Sequence, residues 1–298
     1  MREVRASISK LLAAHGLAPK KRFGQHFMLD RGINRQLIAA AGIVPGDTVL
    51  EIGSGTGSLT GEILAAGASV VAVEIDRGLA ALLSDAIRSD RLRILSIDAL
   101  DGKHRLAQPL VDALSTEAQR SGKAEFKWVS NLPFNVATPL MVNVLSLAFP
   151  RLVKAAVTVQ WEVAERLTAA PGKSAYGPAT VQVRLRADVE IIRRIRPGSF
   201  WPRPKVDSAA VVLTPLPPSN IPPPAVLSRF LNAIFAHRRK TLKACLARVC
   251  GDSFDPNLLK MLDLKEDIRP ECLEPRMLLK LYLELERSGA TKYASETS

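Results

Sequence analysis

A glycine-rich turn between an apolar strand pattern and a helical pattern is the feature that most constrains the fold. Residues 47–52 form a short apolar segment with the pattern of a β-strand. The glycine-rich turn follows in residues 51–60, which read E-I-G-S-G-T-G-S-L-T, and a helical pattern then extends to residue 66. The alternation goes on, with strands predicted at 69–74, 93–97, 126–130 and 155–160 and helices at 78–88 and 138–148. Such alternation predicts an α/β domain, a Rossmann-like and mostly parallel sheet with helices on both faces.

The rest of the chain predicts the domain organisation. A helix at 176–186 and strands near 189–195 and 208–214 would complete the sheet, and a proline-dense connector follows at 215–224. Beyond it the periodicity is helical, with little β signal. We therefore predict four parts: a basic N-terminal arm (1–22), the α/β domain (23–215), a small all-α C-terminal domain (225–288) and a disordered tail (289–298).

The glycines of the turn indicate the kind of ligand. Gly53, Gly55 and Gly57 permit a tight turn and let the backbone approach a bound molecule closely. A dinucleotide fingerprint, G-x-G-x-x-G, would need glycine where Ser58 stands. The turn therefore favours a nucleoside-type cofactor without a pyrophosphate.

Acidic residues follow the next two predicted strands. The second strand ends at Glu74, with Ile75 and Asp76 behind it, and an acid at this place can accept hydrogen bonds from both ribose hydroxyls. Asp98 ends the third strand and is placed to receive an adenine amino group, with Ala99 offering its backbone N–H. This order indicates an S-adenosylmethionine site, although Asp76 alone reads equally as a helix cap and Asp98 as a solvated turn.

The fourth strand ends in the motif that indicates the chemistry. An adenine N6 amine is a poor nucleophile, and two acceptors on its hydrogens, the Asn131 side-chain oxygen and the Leu132 carbonyl, would hold its lone pair toward a methyl donor. Pro133 biases Leu132 to an extended backbone, and Phe134 can stack on an extruded base. The alternative is a strand end that turns at proline, with Phe134 in the core.

Charge indicates the partner. Residues 1–35 and 184–205 carry net charges of +6 and +5, almost the whole net charge of +12. Such a concentration of positive charge favours a polyanion as the binding partner.

The cysteines and the hydropathy predict further absences. Cys245, Cys250 and Cys272 form no CxxC pair, so we expect no metal site. No apolar run reaches the length of a membrane span and no signal peptide is evident, which predicts a cytoplasmic protein without a membrane partner.

Taken together, the motifs resemble those of the ribosomal RNA small subunit adenine N6,N6-dimethyltransferase family, the KsgA/Dim group. The resemblance covers about residues 20–250 and rests on K-R-F-G-Q-H-F (21–27), E-I-G-x-G-x-G (51–57), V-E-I-D (73–76), D-A (98–99), N-L-P-F (131–134), Q-W-E-V-A-E-R-L (160–167), S-A-Y-G (174–177), F-x-P-x-P-K-V-D-S (200–208) and F-A-H-R-R-K-T-L (235–242).

The resemblance implies a class I methyltransferase domain and transfer of four methyl groups to two adjacent adenines near the 3′ end of 16S rRNA, within a partly assembled 30S particle. It also implies that the basic surface and the helical domain (225–288) bind this RNA. We expect a monomer. The candidate catalytic residues are Asn131, Leu132, Pro133 and Phe134. The candidate cofactor-binding residues are Gln25, His26, Met28, Gly53, Gly55, Gly57, Glu74, Ile75, Asp98, Ala99 and Asn131. The candidate RNA-binding residues are Arg22, Phe200, Arg203, Lys205, Arg238, Arg239 and Lys240.

Two departures and several alternatives stand beside this interpretation. The family usually has asparagine where His26 stands and tyrosine where Phe134 stands. Phe200 reads either as a second aromatic clamp on the base or as a core residue. The alternative functions are a large-subunit rRNA methyltransferase of the macrolide-resistance type, a non-catalytic RNA-binding assembly factor and a DNA adenine methyltransferase.

Overall fold

The structure is a computed structural model, which describes residues 2–217 and 219–290. Most of the predicted tail lies outside the described residues. The strands are β1 (Phe27–Met28), β2 (Thr48–Ile52), β3 (Ser69–Val73), β4 (Leu92–Leu95), β5 (Glu125–Asn131), β6 (Arg151–Gln160), β7 (Ala187–Ile195), β8 (Phe200–Trp201) and β9 (Ser208–Pro215). The helices are α1 (Arg2–Ala14), α2 (Arg31–Ala40), α3 (Ser58–Ala65), α4 (Arg77–Ala86), α5 (Gln108–Arg120), α6 (Ala137–Leu145), α7 (Trp161–Thr168), α8 (Pro178–Arg184), α9 (Pro224–Phe235), α10 (Leu242–Cys250), α11 (Asn257–Met261) and α12 (Pro275–Arg287).

Seven strands form the central sheet in the order β4-β3-β2-β5-β6-β9-β7. The five strands from β4 to β6 are parallel to one another, and β9 runs antiparallel to β6. The predicted mostly parallel α/β sheet is confirmed. The strand order reverses between β2 and β5, and ligands of open α/β sheets bind beyond the carboxyl ends of the strands at such a switch point.

Helices α1 and α5 are among those that the sequence-based prediction did not contain. α5 was not predicted, although Leu110, Leu114 and Ala118 repeat at helical spacing and are buried. The N-terminal segment was predicted as a basic arm, whereas α1 packs Ile8 and Leu12 into an apolar cluster with residues that follow it. The basic residues of α1 mask this short apolar stripe in the sequence.

The described chain divides into two compact units, and the boundary differs from the prediction. One unit holds the described residues up to Ala164 together with Val189–Pro215; the other holds Glu165–Asp188 and the described residues from Leu216 onward. The prediction had placed 165–188 in the sheet domain. Tyr176, Val181 and Leu185 instead share one hydrophobic core with α9, α10 and α12, because their apolar side chains find partners there.

The proline-dense connector is anchored at two points within the helical unit. Leu216 donates its N–H to the Arg186 carbonyl at 2.8 Å, and the buried Arg186 guanidinium donates to the Pro222 carbonyl at 3.1 Å. Within residues 2–217 and 219–290, no helix is both long and apolar enough to cross a membrane.

Candidate functional site

An open pocket of about 350 Å³ lies at the carboxyl ends of β2, β3 and β5. It gathers fourteen of the residues that the sequence singled out: Arg22, Gln25, His26, Met28, Gly53, Gly55, Glu74, Ile75, Asp98, Ala99, Asn131, Leu132, Pro133 and Phe134. The cofactor turn and the N-L-P-F motif are almost 80 residues apart, yet they line the same pocket because β2 and β5 are neighbours in the sheet. Ser130 joins them, accepting from the Ile52 N–H at 2.7 Å.

The glycine turn has the backbone that the sequence predicts. Gly55 has φ +56°, and a Cβ built there would lie 3.2 Å from the Phe27 ring, so the position suits glycine on two grounds. Gly57 differs from the expectation, since it is not among the pocket-lining residues. A Cβ at Gly57 would lie 2.5 Å from Leu83, so this glycine makes room for packing of α3 on α4.

Glu74, the acid that follows β3, lies in the pocket wall. Its carboxylate accepts the Gly55 N–H at 2.8 Å and the Asp76 N–H at 3.0 Å. Burial raises the pKa of Glu74, with backbone hydrogen bonds from Asp76, Gly55 and Ile75 opposing the rise and the charge of Asp76 adding to it. The neighbouring Ile75 is 40% exposed at the pocket rim, where an apolar side chain can cover the face of a flat ring. Glu74 and Ile75 thus offer an acceptor and an apolar surface side by side.

Asp76 does not line the pocket; it caps α4 and holds the segment before β1. Its side chain accepts the Gly78 N–H at 3.1 Å, which is the helix-cap alternative considered from sequence. It also accepts from Lys20 Nζ at 2.9 Å and Gln25 Nε2 at 3.0 Å. Burial alone would raise the pKa of Asp76, but these hydrogen bonds outweigh it and hold the pKa below its ordinary value. The Gln25 side chain was predicted to bind cofactor. In the structure it donates to Asp76 and accepts the Lys20 backbone N–H at 2.7 Å.

Three further candidates lie around the pocket with different exposure. Asp98 is exposed, and its carboxylate accepts the Leu100 N–H at 2.9 Å, as in the solvated-turn alternative, while still lining the pocket. Ala99 and Met28 are buried in the wall. Asp98 therefore has acceptor capacity left for a ligand amino group.

The Asn131 amide is held on both sides. Its Nδ2 donates to the His26 carbonyl at 2.9 Å, and its Oδ1 accepts the Thr158 hydroxyl. His26 therefore contacts this amide through its backbone carbonyl. The Pro133 ring lies against the glycine turn that follows β2. A Cβ built at Gly53 would lie 3.4 Å from this ring.

Aromatic rings border the N-L-P-F motif. The His26 ring is stacked on Phe134, with centroids 5.3 Å apart, and its Nδ1 lies 2.6 Å from the Pro202 carbonyl. That carbonyl only accepts, so Nδ1 carries the proton. Phe200 meets Phe134 edge-on at 6.4 Å but is only 2% exposed. This burial favours the core alternative for Phe200 over a clamp on the base.

Asn34 and Ser54 are among the pocket residues that were missed from sequence. Asn34 Oδ1 and Ser54 Oγ are buried and have no hydrogen-bond partner among the described residues. A buried acceptor or hydroxyl left unpaired is costly and is expected to find a partner when a ligand binds. The signal for Asn34 was a polar residue on the buried face of the amphipathic helix α2. These unpaired atoms, the Glu74 carboxylate and the backbone of Gly55, which a ligand can approach closely, together fit a polar, nucleoside-sized cofactor.

The candidate RNA contacts in the sheet unit are exposed cations. Arg22 lies at the pocket rim and covers the Phe23 ring at 4.6 Å. Arg203 and Lys205 are exposed outside the pocket lining.

The cluster in the helical unit is divided. Arg238 is half-buried and bonded to Glu271 and to the Ser174 carbonyl, so its guanidinium has a structural role that the sequence did not indicate. Arg239 and Lys240 are exposed. All three lie between α9 and α10, because Thr241 caps α10. Across the described part of the chain, no cluster of three or more His, Cys, Asp or Glu side chains is arranged to hold a metal ion.

Comparison with known proteins gives one consistent family. The family model for ribosomal RNA adenine dimethylase matches residues 16–273. A curated relative, ribosomal RNA small subunit methyltransferase A of Lactobacillus delbrueckii subsp. bulgaricus, is 38% identical, over 85% of this chain and 86% of its own length. The crystal structure of a dimethyladenosine transferase from Plasmodium falciparum superposes with a TM-score of 0.73 at 27% identity, covering 89% of this chain and 98% of that one.

A 23S rRNA methyltransferase, ErmE, superposes with a TM-score of 0.59 at 22% identity, covering 87% of this chain and 99% of that one. At that identity the likeness shows the fold alone. The family model and the curated relative agree with the motifs gathered in the pocket. The chain belongs to the ribosomal RNA adenine dimethylase family.

Proposed function

We propose that this chain is an S-adenosylmethionine-dependent adenine N6-dimethyltransferase of small-subunit rRNA. Its substrate is two adjacent adenosines near the 3′ end of 16S rRNA in a partly assembled 30S particle, and it acts as a monomer. The observation that carries the proposal is the meeting of the glycine turn and the N-L-P-F motif in one pocket. The cofactor supplies an electrophilic methyl group; everything else is binding and orientation.

The cofactor would be held by the turn and the two acids. The Gly55 backbone would allow close approach, Glu74 would accept from the ribose hydroxyls, and Ile75 would cover one face of the adenine ring; their shared place in the pocket lining supports these roles. Asp98 and the Ala99 N–H would bind the edge of that ring. Gln25 and Met28 support the pocket wall, Gln25 through its bond to Asp76.

The target adenine would be held by the N-L-P-F motif. Asn131 Oδ1 and the Leu132 carbonyl accept the two N6 hydrogens, and Phe134 stacks on the extruded ring. Holding the amine about 3–3.5 Å from the methyl carbon supplies most of the catalysis, so no general base or metal is needed. Arg22, Arg203, Lys205, Arg239 and Lys240 are the proposed phosphate contacts.

The test is incubation with immature small subunits and methyl-labelled cofactor, followed by mass spectrometry of the rRNA. We expect N6,N6-dimethyladenosine at two adjacent positions with the parent protein, and its loss with Asn131→Ala. Asn220→Ala, an exposed substitution outside the pocket lining, should match the parent. Label found only in large-subunit rRNA would reject the small-subunit assignment, and failure to bind the cofactor in calorimetry would support a non-catalytic assembly factor.

A further inference from the structure

Thr158 lies beneath the proposed catalytic amide. It is the register partner of Asn131 between the parallel strands β5 and β6, so the two side chains project from the same face of the sheet. Thr158 is fully buried, at 0% exposure, and does not itself line the pocket. Its hydroxyl donates to Asn131 Oδ1, so Thr158 can act on the substrate only through Asn131.

The hydrogen bonds select one orientation of the Asn131 amide. The His26 carbonyl can only accept, so the amide NH2 must face it, at 2.9 Å. The amide oxygen then faces Thr158, whose hydroxyl supplies a hydrogen. An amide oxygen has two acceptor positions, and Thr158 occupies one of them. One position remains for a hydrogen of the substrate amine.

The two methyl transfers to one adenine make different demands on this oxygen. In each transfer N6 forms a bond to the methyl carbon, the carbon–sulfur bond of the cofactor breaks with its electron pair left on sulfur, and one N6 proton passes to water. The first transfer begins with two N6 hydrogens for two acceptors, Asn131 Oδ1 and the Leu132 carbonyl. The second begins with one hydrogen, so an acceptor can lose its donor. A buried acceptor without a donor is unfavourable.

We propose that Thr158 is a positioning residue for the second methyl transfer, keeping Asn131 Oδ1 hydrogen-bonded and oriented after the adenine has lost one N–H. The inference rests on the proposed function, and it adds a residue to that site. Without the hydroxyl, the orphaned amide oxygen would have to rotate toward another donor, and the monomethylated base would lose the geometry for further reaction.

The experiment compares three substitutions in the full chain. Thr158→Val removes the hydroxyl at nearly constant volume, and Thr158→Ser keeps it. Thr48→Val is the matched control: Thr48 is 2% exposed and begins β2, at the opposite end of that strand from the pocket, with its hydroxyl donating to the Glu117 carbonyl at 3.3 Å. Each protein is incubated with immature small subunits and excess S-adenosylmethionine, and mass spectrometry follows N6-monomethyl- and N6,N6-dimethyladenosine with time.

For Thr158→Val we expect the second transfer to slow about tenfold, which corresponds to about 1.4 kcal/mol, and monomethyladenosine to accumulate. The first transfer should change by less than about threefold, because both acceptors then have a hydrogen of N6 to bind. Thr158→Ser and Thr48→Val should keep the parent's ratio of the two products. Calorimetric affinity for the cofactor should be the same in all four proteins.

Two results would overturn the inference: an unchanged product ratio in Thr158→Val, or equal slowing of both transfers, which a purely structural role would produce. Should Thr158→Val fold poorly in thermal denaturation, Thr158→Ala removes the same hydroxyl with a smaller side chain and carries the same expectation. A parent protein that makes no methylated adenosine overturns the proposed function as well, so the two failures are distinguishable.

Discussion

Replacing Gly55 by alanine separates the two reasons for glycine in the cofactor turn. Gly55 has φ +56°, and its new Cβ would stand 3.2 Å from the Phe27 ring in the pocket wall. Gly42→Ala is a matched control, because Gly42 has φ +62° and a Cβ there would meet no described atom within 4 Å. Both substitutions force alanine into the left-handed region, but only the first intrudes on the pocket.

The expected magnitudes follow from these contacts. A left-handed alanine costs about 1–2 kcal/mol, so both variants should lose similar stability. At Gly55 the Phe27 ring must also shift by a few tenths of an ångström, or the turn must move. The Gly55 N–H donates to Glu74 at 2.8 Å, so movement of the turn displaces the proposed ribose acceptor. We expect cofactor affinity to fall by about tenfold, or about 1.4 kcal/mol, in Gly55→Ala alone.

Titration calorimetry with S-adenosylmethionine measures the affinity, and thermal denaturation measures the stability. The melting temperature should fall by roughly the same few degrees in both variants, since about 1 kcal/mol shifts a domain of this size by about 2–4 °C. Parent-like affinity in Gly55→Ala would refute the close-approach argument. Equal loss of affinity in both variants would show that backbone strain, and not intrusion on the pocket, is the cause.

Three other predictions concern pH, the aromatic ring and the basic cluster. Burial raises the pKa of Glu51 from 4.5 to about 8, so the parent loses stability as pH rises through this window, by up to about 1.4 kcal/mol per pH unit. The stability advantage of Glu51→Gln should therefore grow from pH 5 to 8 and then level off in denaturant titrations, whereas parallel curves would contradict the burial argument. Phe134→Ala should lower kcat about tenfold or more through lost base stacking, while Phe134→Tyr stays within about threefold, as steady-state kinetics will show. Arg238→Ala should cost about 1–3 kcal/mol of stability in thermal denaturation, because Arg238 is bonded to Glu271 and backbone carbonyls. Arg239→Ala should leave the melting temperature unchanged and reduce the slope of log binding constant against log salt concentration, measured for RNA binding, by about one. A lower melting temperature in Arg239→Ala, with a reduced salt slope in Arg238→Ala instead, would contradict these two roles.

The parallel sheet could be predicted because its strands and helices have strong local patterns. The prediction weakened where the pattern was short or mixed, as in α1, whose apolar residues Ile8 and Leu12 are interleaved with charge. Residues 165–188 were assigned to the wrong unit because α8 carries an apolar pattern that suits either core. Which core receives such a helix depends on the partners available in space, and a linear pattern does not contain that information.

The candidate site shows the same division. Glu74, Asp98 and Asn131 were identified because each lies at or just beyond the end of a strand, and the carboxyl ends of parallel strands meet at one edge of a sheet. The state of each side chain was not predictable. Asp76 caps α4 and binds Lys20, and Phe200 is in the core, since both outcomes depend on segments far away along the chain.

By itself the sequence determined the backbone chemistry of this protein: a glycine turn that admits a ligand, acids at strand ends and a proline-fixed carbonyl, all set by neighbouring residues in the chain. Only the tertiary structure decided which atoms those groups meet. Asn131 is oriented by the His26 carbonyl, 105 positions away, and by Thr158 on the next strand. Hydrogen-bond partners of this kind are chosen by strand register and by packing, which bring remote segments within about 3 Å of each other and leave no local trace in the sequence.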